Sequence, residues 1–300
     1  MTSGSFCLAR RLIGLAMLAF AVSPAMAQTA TPTRLLVAHP VVAALTTTLV
    51  RDTGIVVLRP VPETLPANRQ LAFFAGRGAA GLAEAAREAD AVVALRSIWP
   101  DDPLFPLARR QNIRLIEIDA ARPLDASLPG MALQEGDVSA NALPWLDPVN
   151  LGRMADVITS DVSRLVPDAR QRLQANVATL RQALLAITAQ SEARLAAASN
   201  LTVFSLSDRL DYLVSGFNLD PAGKDARADE AWTPEALAEL TRSLQSASVV
   251  AVLHHRELPP AVAQAVQHAG ARSIILLTDG RDPMEELREN ARRLGAIAGR

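Results

Sequence analysis

Cysteine is almost absent from this chain. The single thiol, Cys7, lies close to the N-terminus, ahead of Arg10 and Arg11, so no disulfide, cysteine zinc site or cysteine nucleophile is expected in the remaining chain. Aromatic residues make up only 4% of the sequence, and the formal net charge is −1. A nucleic-acid-binding protein would show a basic stripe, and none is present here. The composition therefore favours a globular protein with no nucleic-acid partner.

The first 27 residues have the pattern of a secretory signal peptide. Arg10 and Arg11 precede an apolar stretch from Leu12 to Val22, and residues 25–27 (Ala-Met-Ala) form a small-x-small cleavage site. No cysteine follows to carry a lipid anchor. No later apolar run is long enough for a membrane helix. We therefore expect residues 1–27 to be removed and the mature protein to be soluble in the periplasm.

Short apolar runs alternate with helical patterns in both halves of the mature chain. This alternation predicts βαβ units and mostly parallel sheets, an α/β fold. The predicted strands are residues 34–38, 55–58, 91–95, 113–118, 201–206, 249–253 and 273–277. Residues 220–230 are predicted to be a solvated, charged loop.

The middle of the chain has a different pattern. Apolar residues recur at helical spacing after Pro148, and residues 168–198 are predicted to form one long alanine- and leucine-rich helix. The sequence therefore predicts an N-terminal α/β lobe (28–144), a linking helical spine (145–199) and a C-terminal α/β lobe (200–300).

Four short motifs suggest a family. The segment Trp145-Leu146-Asp147-Pro148 follows the first lobe, and Phe204 to Asp208, followed by Tyr212, opens the second. Residues 252–255 (Val-Leu-His-His) and 276–279 (Leu-Leu-Thr-Asp) stand at predicted strand ends. In type and order these motifs resemble those of periplasmic zinc/manganese ABC-transporter solute-binding proteins of the cluster A-I type. The resemblance implies two α/β lobes joined by a rigid backbone helix, a zinc or manganese ion in the cleft and a permease of the inner membrane as partner.

The resemblance also implies metal ligands, and most of them are replaced. Only Asp279 keeps a family ligand. The histidine positions fall on Ser207, Leu143 and Phe74, with Asn68 or Arg69 as alternatives to Phe74. Zinc requires about four N, S or O donors, and leucine and phenylalanine supply none. The usual metal site is therefore expected to be broken.

Two interpretations of the remaining polar residues stay open. His39 and His255 also follow strands, so they could rebuild a metal site with Asp279 and water; otherwise they are ordinary strand-end histidines held by hydrogen bonds. A cleft that holds a small organic molecule or a metal chelate would be lined by the candidate ligand-binding residues Phe74, Leu143, Ser207, Asp208 and Arg69, with Arg77 as an alternative to Arg69.

Three alternatives to a metal receptor follow from the same residues. One is a receptor for a small organic molecule or metal chelate, and another is an accessory paralogue that binds no metal. A periplasmic hydrolase using Ser205, Ser207 and Asp208 is disfavoured because the G-x-S-x-G elbow is absent. The Gly76–Gly81 segment matches GxGxxG but lacks a preceding strand, which disfavours a nucleotide site. No catalytic set is evident, so an enzyme is not expected.

Overall fold

The computed structural model describes residues 31–125, 128–133 and 143–299. The predicted signal peptide and residues 140–142, just before the hinge motif, lie outside these ranges. From Pro32 onward the described chain forms one compact unit. No helix within the described ranges has the length and apolar character needed to cross a membrane.

The first lobe is built on a parallel four-stranded sheet. Its strands are β1 (Arg34–Val37), β2 (Val56–Leu58), β3 (Ala91–Ala94) and β4 (Ile116–Asp119), in the order β2-β1-β3-β4. Both faces are covered, because Leu35 and Val37 of β1 belong to one apolar cluster and Leu36 belongs to another. The helices of this lobe are α1 (Pro40–Leu49), α2 (Gln70–Ala75), α3 (Ala79–Glu88) and α4 (Leu104–Arg109).

Two consecutive helices join the lobes. Helix α5 (Pro148–Leu165) has Pro148 in its first turn, and the Asp147 carboxylate accepts a hydrogen bond from the Val149 N–H at 2.8 Å. Helix α6 (Arg170–Leu195) follows a single 3₁₀ turn, Pro167–Ala169, and is unbroken along its length. The predicted long helix is confirmed, and it packs against α5 and the C-terminal helix.

The second lobe repeats the architecture of the first. Its parallel sheet has the order β6-β5-β7-β8, formed by β5 (Thr202–Ser205), β6 (Asp220–Lys224), β7 (Ala251–His254) and β8 (Arg272–Ile275). Its helices are α7 (Asp211–Gly216), α8 (Pro234–Ser246), α9 (Pro260–His268) and α10 (Pro283–Leu294). The two separate sheets confirm the predicted α/β fold with two lobes.

Two local predictions need correction, and a third agrees with the structure. Residues 220–224 form the edge strand β6, although a solvated loop is predicted, because hydrogen bonds to β5 order a segment with few apolar side chains. Strand β4 begins at Ile116 rather than Ile113, whose side chain is 77% exposed. Gly76 and Gly78 lie between helices α2 and α3, so the GxGxxG match has no strand before it.

Candidate functional site

A cavity of about 230 Å³ lies between the lobes, where loops from both sheets converge. Such positions, at the carboxyl ends of parallel strands, are where open α/β sheets bind ligands. The first lobe and the hinge supply most of the wall, and the second lobe supplies three residues. The lining residues are His39, Pro40, Pro66, Ala67, Asn68, Leu95, Ile98, Trp99, Leu143 and Trp145, with Arg209, Thr278 and Asp279 from the second lobe.

His39 follows strand β1 and stands between two tryptophan rings. Its ring meets Trp145 edge-on at 5.1 Å between centroids and Trp99 at 5.7 Å. The side chain is buried, and its Nδ1 atom has no hydrogen-bond partner among the described residues. Burial, and secondarily the charge of Arg59, lowers the pKa of His39 to about 3. The imidazole is therefore neutral at physiological pH, which is the form that binds metals.

Asp279 reaches the cavity from the second lobe, on the loop that follows β8. Its side chain is 69% exposed and pairs with Arg281 at 3.0 Å. Helix α10 fixes the loop, because the Asn290 side chain exchanges two hydrogen bonds with the Leu277 backbone and Glu286 Oε2 accepts from the Gly280 N–H at 2.6 Å. Burial raises the pKa of Glu286 to about 7.

Glu286 and Asn290 position the Asp279 loop, a role that their place in the sequence did not reveal. In the sequence Glu286 fits the acidic first turn of a helix, where carboxylates stabilise the dipole. In the structure it is only 5% exposed and holds the Asp279 loop. Helix α10 follows the Asp279 loop closely in the sequence. The buried face of this helix was therefore the sequence signal that could have identified both residues.

His255 lies outside the cavity lining. Its Nδ1 atom is 2.7 Å from the Ser207 hydroxyl, and that hydroxyl oxygen accepts a hydrogen bond from the Arg209 N–H at 3.1 Å. Burial, followed by the charge of Arg209, lowers the pKa of His255. Among the described residues, no group of three or more His, Cys, Asp or Glu side chains is placed to hold a metal ion. The structure therefore does not bring His255 together with His39 and Asp279.

The Ser207–His255 contact also bears on the hydrolase alternative. Ser207 is 1% exposed, so its hydroxyl cannot reach a substrate carbonyl in this conformation. The neighbouring histidine His254 is held by the Arg256 carbonyl and the Ser273 hydroxyl, each at 2.6 Å. These contacts give both histidines of the pair ordinary hydrogen-bonding roles at the end of β7.

Of the other predicted ligand-binding residues, one lines the cavity and the rest lie elsewhere. Leu143 lines the cavity and is 8% exposed. Phe74 instead belongs to the apolar core of the first lobe, because helix α2 directs it towards the sheet. Arg69 is exposed at the start of that helix, and the neighbouring Asn68 lines the cavity in its place. Ser207 and Asp208 are absent from the cavity lining, whereas the next residue, Arg209, is part of it.

Comparison with known proteins identifies the family. The sequence profile of the family described as "Zinc-uptake complex component A periplasmic" (ZnuA) matches residues 81–292. A search of curated protein sequences finds no significant match.

Solved structures share the fold at low sequence identity. A FpvC mutant from Pseudomonas aeruginosa is 16% identical, with a TM-score of 0.67 over 88% of this chain and 98% of its own. FpvC in complex with Mn²⁺ is 17% identical, with a TM-score of 0.66 over 89% and 98%. The Zn(II)-bound ZnuA-like domain of Streptococcus pneumoniae AdcA is 16% identical, with a TM-score of 0.63 over 90% and 100%. The profile match spans more than half of the chain, so the protein belongs to the ZnuA family of periplasmic metal-binding receptors.

Proposed function

We propose that this protein is a periplasmic receptor that binds a divalent metal ion, free or in a small complex, in the cavity between its lobes. One observation carries the proposal: an imidazole of the first lobe and a carboxylate of the second, His39 and Asp279, line the same cavity. Both groups are suitable donors for zinc or manganese. A bound cation would therefore connect the two lobes.

The metals of the structural neighbours support this proposal. FpvC has been solved with Mn²⁺ and with Ni²⁺, and the AdcA domain with Zn(II). The cavity supplies fewer strong donors than a closed zinc site requires, so water or another small molecule would complete the coordination shell. Asn68 and Thr278 add weaker oxygen donors at the cavity wall.

The proposal extends to compartment and partner. We propose that residues 1–27 are cleaved, that the mature chain comprises lobes 28–144 and 200–300 about the 145–199 spine, and that it delivers its cargo to an ABC permease of the inner membrane. Native mass spectrometry of protein isolated from its own periplasm would report both the cleavage site and the cargo. A mature N-terminus other than Gln28 would contradict the cleavage assignment.

The metal proposal is tested with two cavity variants and one control. Zn²⁺, Mn²⁺ and Ni²⁺ binding would be measured by isothermal titration for the wild type, His39→Gln, Asp279→Asn and Asp220→Asn. Asp220 is an exposed carboxylate on β6, outside the cavity lining. Each cavity variant should weaken binding at least about tenfold, or about 1.4 kcal/mol, and the control should not. Unchanged affinity in both cavity variants would overturn the proposal.

A further inference from the structure

The cavity contains a positive charge that a receptor for a bare cation would not need. Arg209 lines the cavity together with His39 and Asp279. Within the described part of the chain, no carboxylate lies within ion-pair distance of its guanidinium, and the cavity carboxylate Asp279 pairs with Arg281 instead. Because like charges repel, Arg209 disfavours a bare divalent cation and favours a ligand with negative charge.

The backbone around Arg209 is well ordered. Its N–H donates to the Ser207 hydroxyl, which His255 also contacts, so the loop after β5 presents the arginine from a fixed position. A guanidinium offers a planar fork of N–H donors that matches a carboxylate in two parallel hydrogen bonds. Arg209 is therefore suited to bind a carboxylate group.

Part of the cavity wall is apolar and aromatic. Trp99, Trp145, Ile98 and Leu143 line it, which favours contact with carbon atoms of a ligand over contact with water. The volume of about 230 Å³ lies just below the roughly 300–1,000 Å³ of pockets that bind drug-sized ligands. This space accommodates a cation with one small chelator.

We propose that the cavity binds its metal as a complex with a small carboxylate chelator, an inference that rests on the proposed function. His39 and Asp279 would each supply one donor to the metal, and the chelator would supply the donors that the chain lacks. A carboxylate of the chelator would face Arg209, while its carbon skeleton contacts Trp99 and Trp145. This arrangement accounts for the low donor count and the unpaired arginine together.

The test compares the metal, the chelator and their complex. Wild-type protein would be examined by thermal shift and native mass spectrometry with Zn²⁺ alone, with citrate, malate or L-histidine alone, and with each equimolar Zn²⁺–chelator mixture. A free chelator competes with the protein for Zn²⁺ in solution. Native mass spectrometry resolves this, because protein with metal and protein with metal plus chelator differ in mass. At least one mixture should give a 1:1:1 species with apparent affinity at least about tenfold above that of Zn²⁺ alone.

Two substitutions at Arg209 and one control identify its role. Arg209→Gln should abolish the preference for the complex while retaining weak Zn²⁺ binding, and Arg209→Lys should restore part of it, since lysine keeps the charge but loses the fork. Arg288→Gln, on the exposed face of α10, should behave as wild type. Circular dichroism melts would establish that each variant is folded.

The possible outcomes distinguish the chelate proposal from the proposed function as a metal receptor. If Zn²⁺ alone binds as tightly as every mixture, the chelate proposal is wrong, but the proposal of a metal receptor is unaffected. A complex preference that survives Arg209→Gln would overturn the assigned role of Arg209. If neither metals nor mixtures bind, both proposals are wrong.

Discussion

At the scale of single residues, Trp145 shows how the hinge motif acts through packing. The ring is 7% exposed, and it meets His39 edge-on. It belongs to the large apolar cluster that runs from the first sheet through the spine to the second lobe. The tryptophan therefore couples the cavity wall to the central core.

Replacing Trp145 should be costly. Trp145→Ala is expected to lower the free energy of unfolding by about 3–5 kcal/mol, because a large, closely packed ring leaves a void. Trp232, which is half-buried and packs beneath Arg227 at 4.7 Å, serves as the control. Urea denaturation would measure both variants. A loss for Trp145→Ala no larger than that for Trp232→Ala would show that the hinge ring contributes little packing energy.

Glu286 gives the fold a predictable pH dependence. Burial raises its pKa from 4.5 to about 7 in the folded protein. Between these values the unfolded chain has released the proton and the folded chain still holds it, so rising pH favours unfolding. The shift corresponds to about 3 kcal/mol when converted at about 1.36 kcal/mol per pKa unit.

Glu286→Gln should remove this dependence, since glutamine does not ionise. The stability of the wild type relative to the variant should fall between pH of about 4.5 and 7 and then become constant. Urea unfolding across that range would measure the difference, with the exposed Glu285→Gln as the control. Parallel curves for wild type and Glu286→Gln would contradict the raised pKa.

At the scale of elements, the loop after β8 is held closely against helix α1. Gly280 has φ of +67°, and a Cβ atom there would lie 2.5 Å from Cγ2 of the buried Val41. Gly54 has a similar φ of +76° with open space around it. Comparison of Gly280 with Gly54 therefore separates the cost of backbone strain from the cost of the contact between the lobes.

Both alanine variants should lose stability, and Gly280→Ala should lose more. A left-handed backbone costs an alanine about 1–2 kcal/mol at either site. The clash with Val41 should add about 1–3 kcal/mol, as overpacking does in cores. Urea unfolding of the two variants would give the difference directly. Equal losses would mean that the loop can move away from α1 without cost.

Strand β6 shows where local patterns mislead at this scale. The segment Asp220–Lys224 carries proline, glycine and two charged residues, a composition typical of turns. It is nevertheless a strand, since it lies at a sheet edge with its outer side solvated and one side bonded to β5. The pairing of an edge strand depends on a partner strand that is distant in the sequence, so the local pattern of apolar residues does not predict it.

At the scale of the whole molecule, the protein has the two-lobe fold of its family, and the described cavity lining offers two strong metal donors, His39 and Asp279. Four-ligand zinc sites supply about 10–16 kcal/mol. If about half of the ligands remain, about 5–8 kcal/mol is expected, which corresponds to a Kd between about 1 µM and 0.2 mM. Isothermal titration with Zn²⁺ alone should fall in this range. Nanomolar affinity without a chelator would show that donors beyond His39 and Asp279 reach the ion.

The sequence by itself determined the two-lobe α/β architecture and the long helix between the lobes. These features depend on residue identity and on periodicities that act within a few turns of chain. The tertiary structure decided which polar side chains meet. Asn68 lines the cavity, whereas Phe74 and Arg69 do not, and Arg209 lines it as well. His255 contacts Ser207 outside the cavity lining. Glu286 accepts a hydrogen bond from the loop that carries Asp279. Those outcomes depend on loop geometry between strands of two different sheets, where side-chain direction is fixed by contacts with residues far away in the chain.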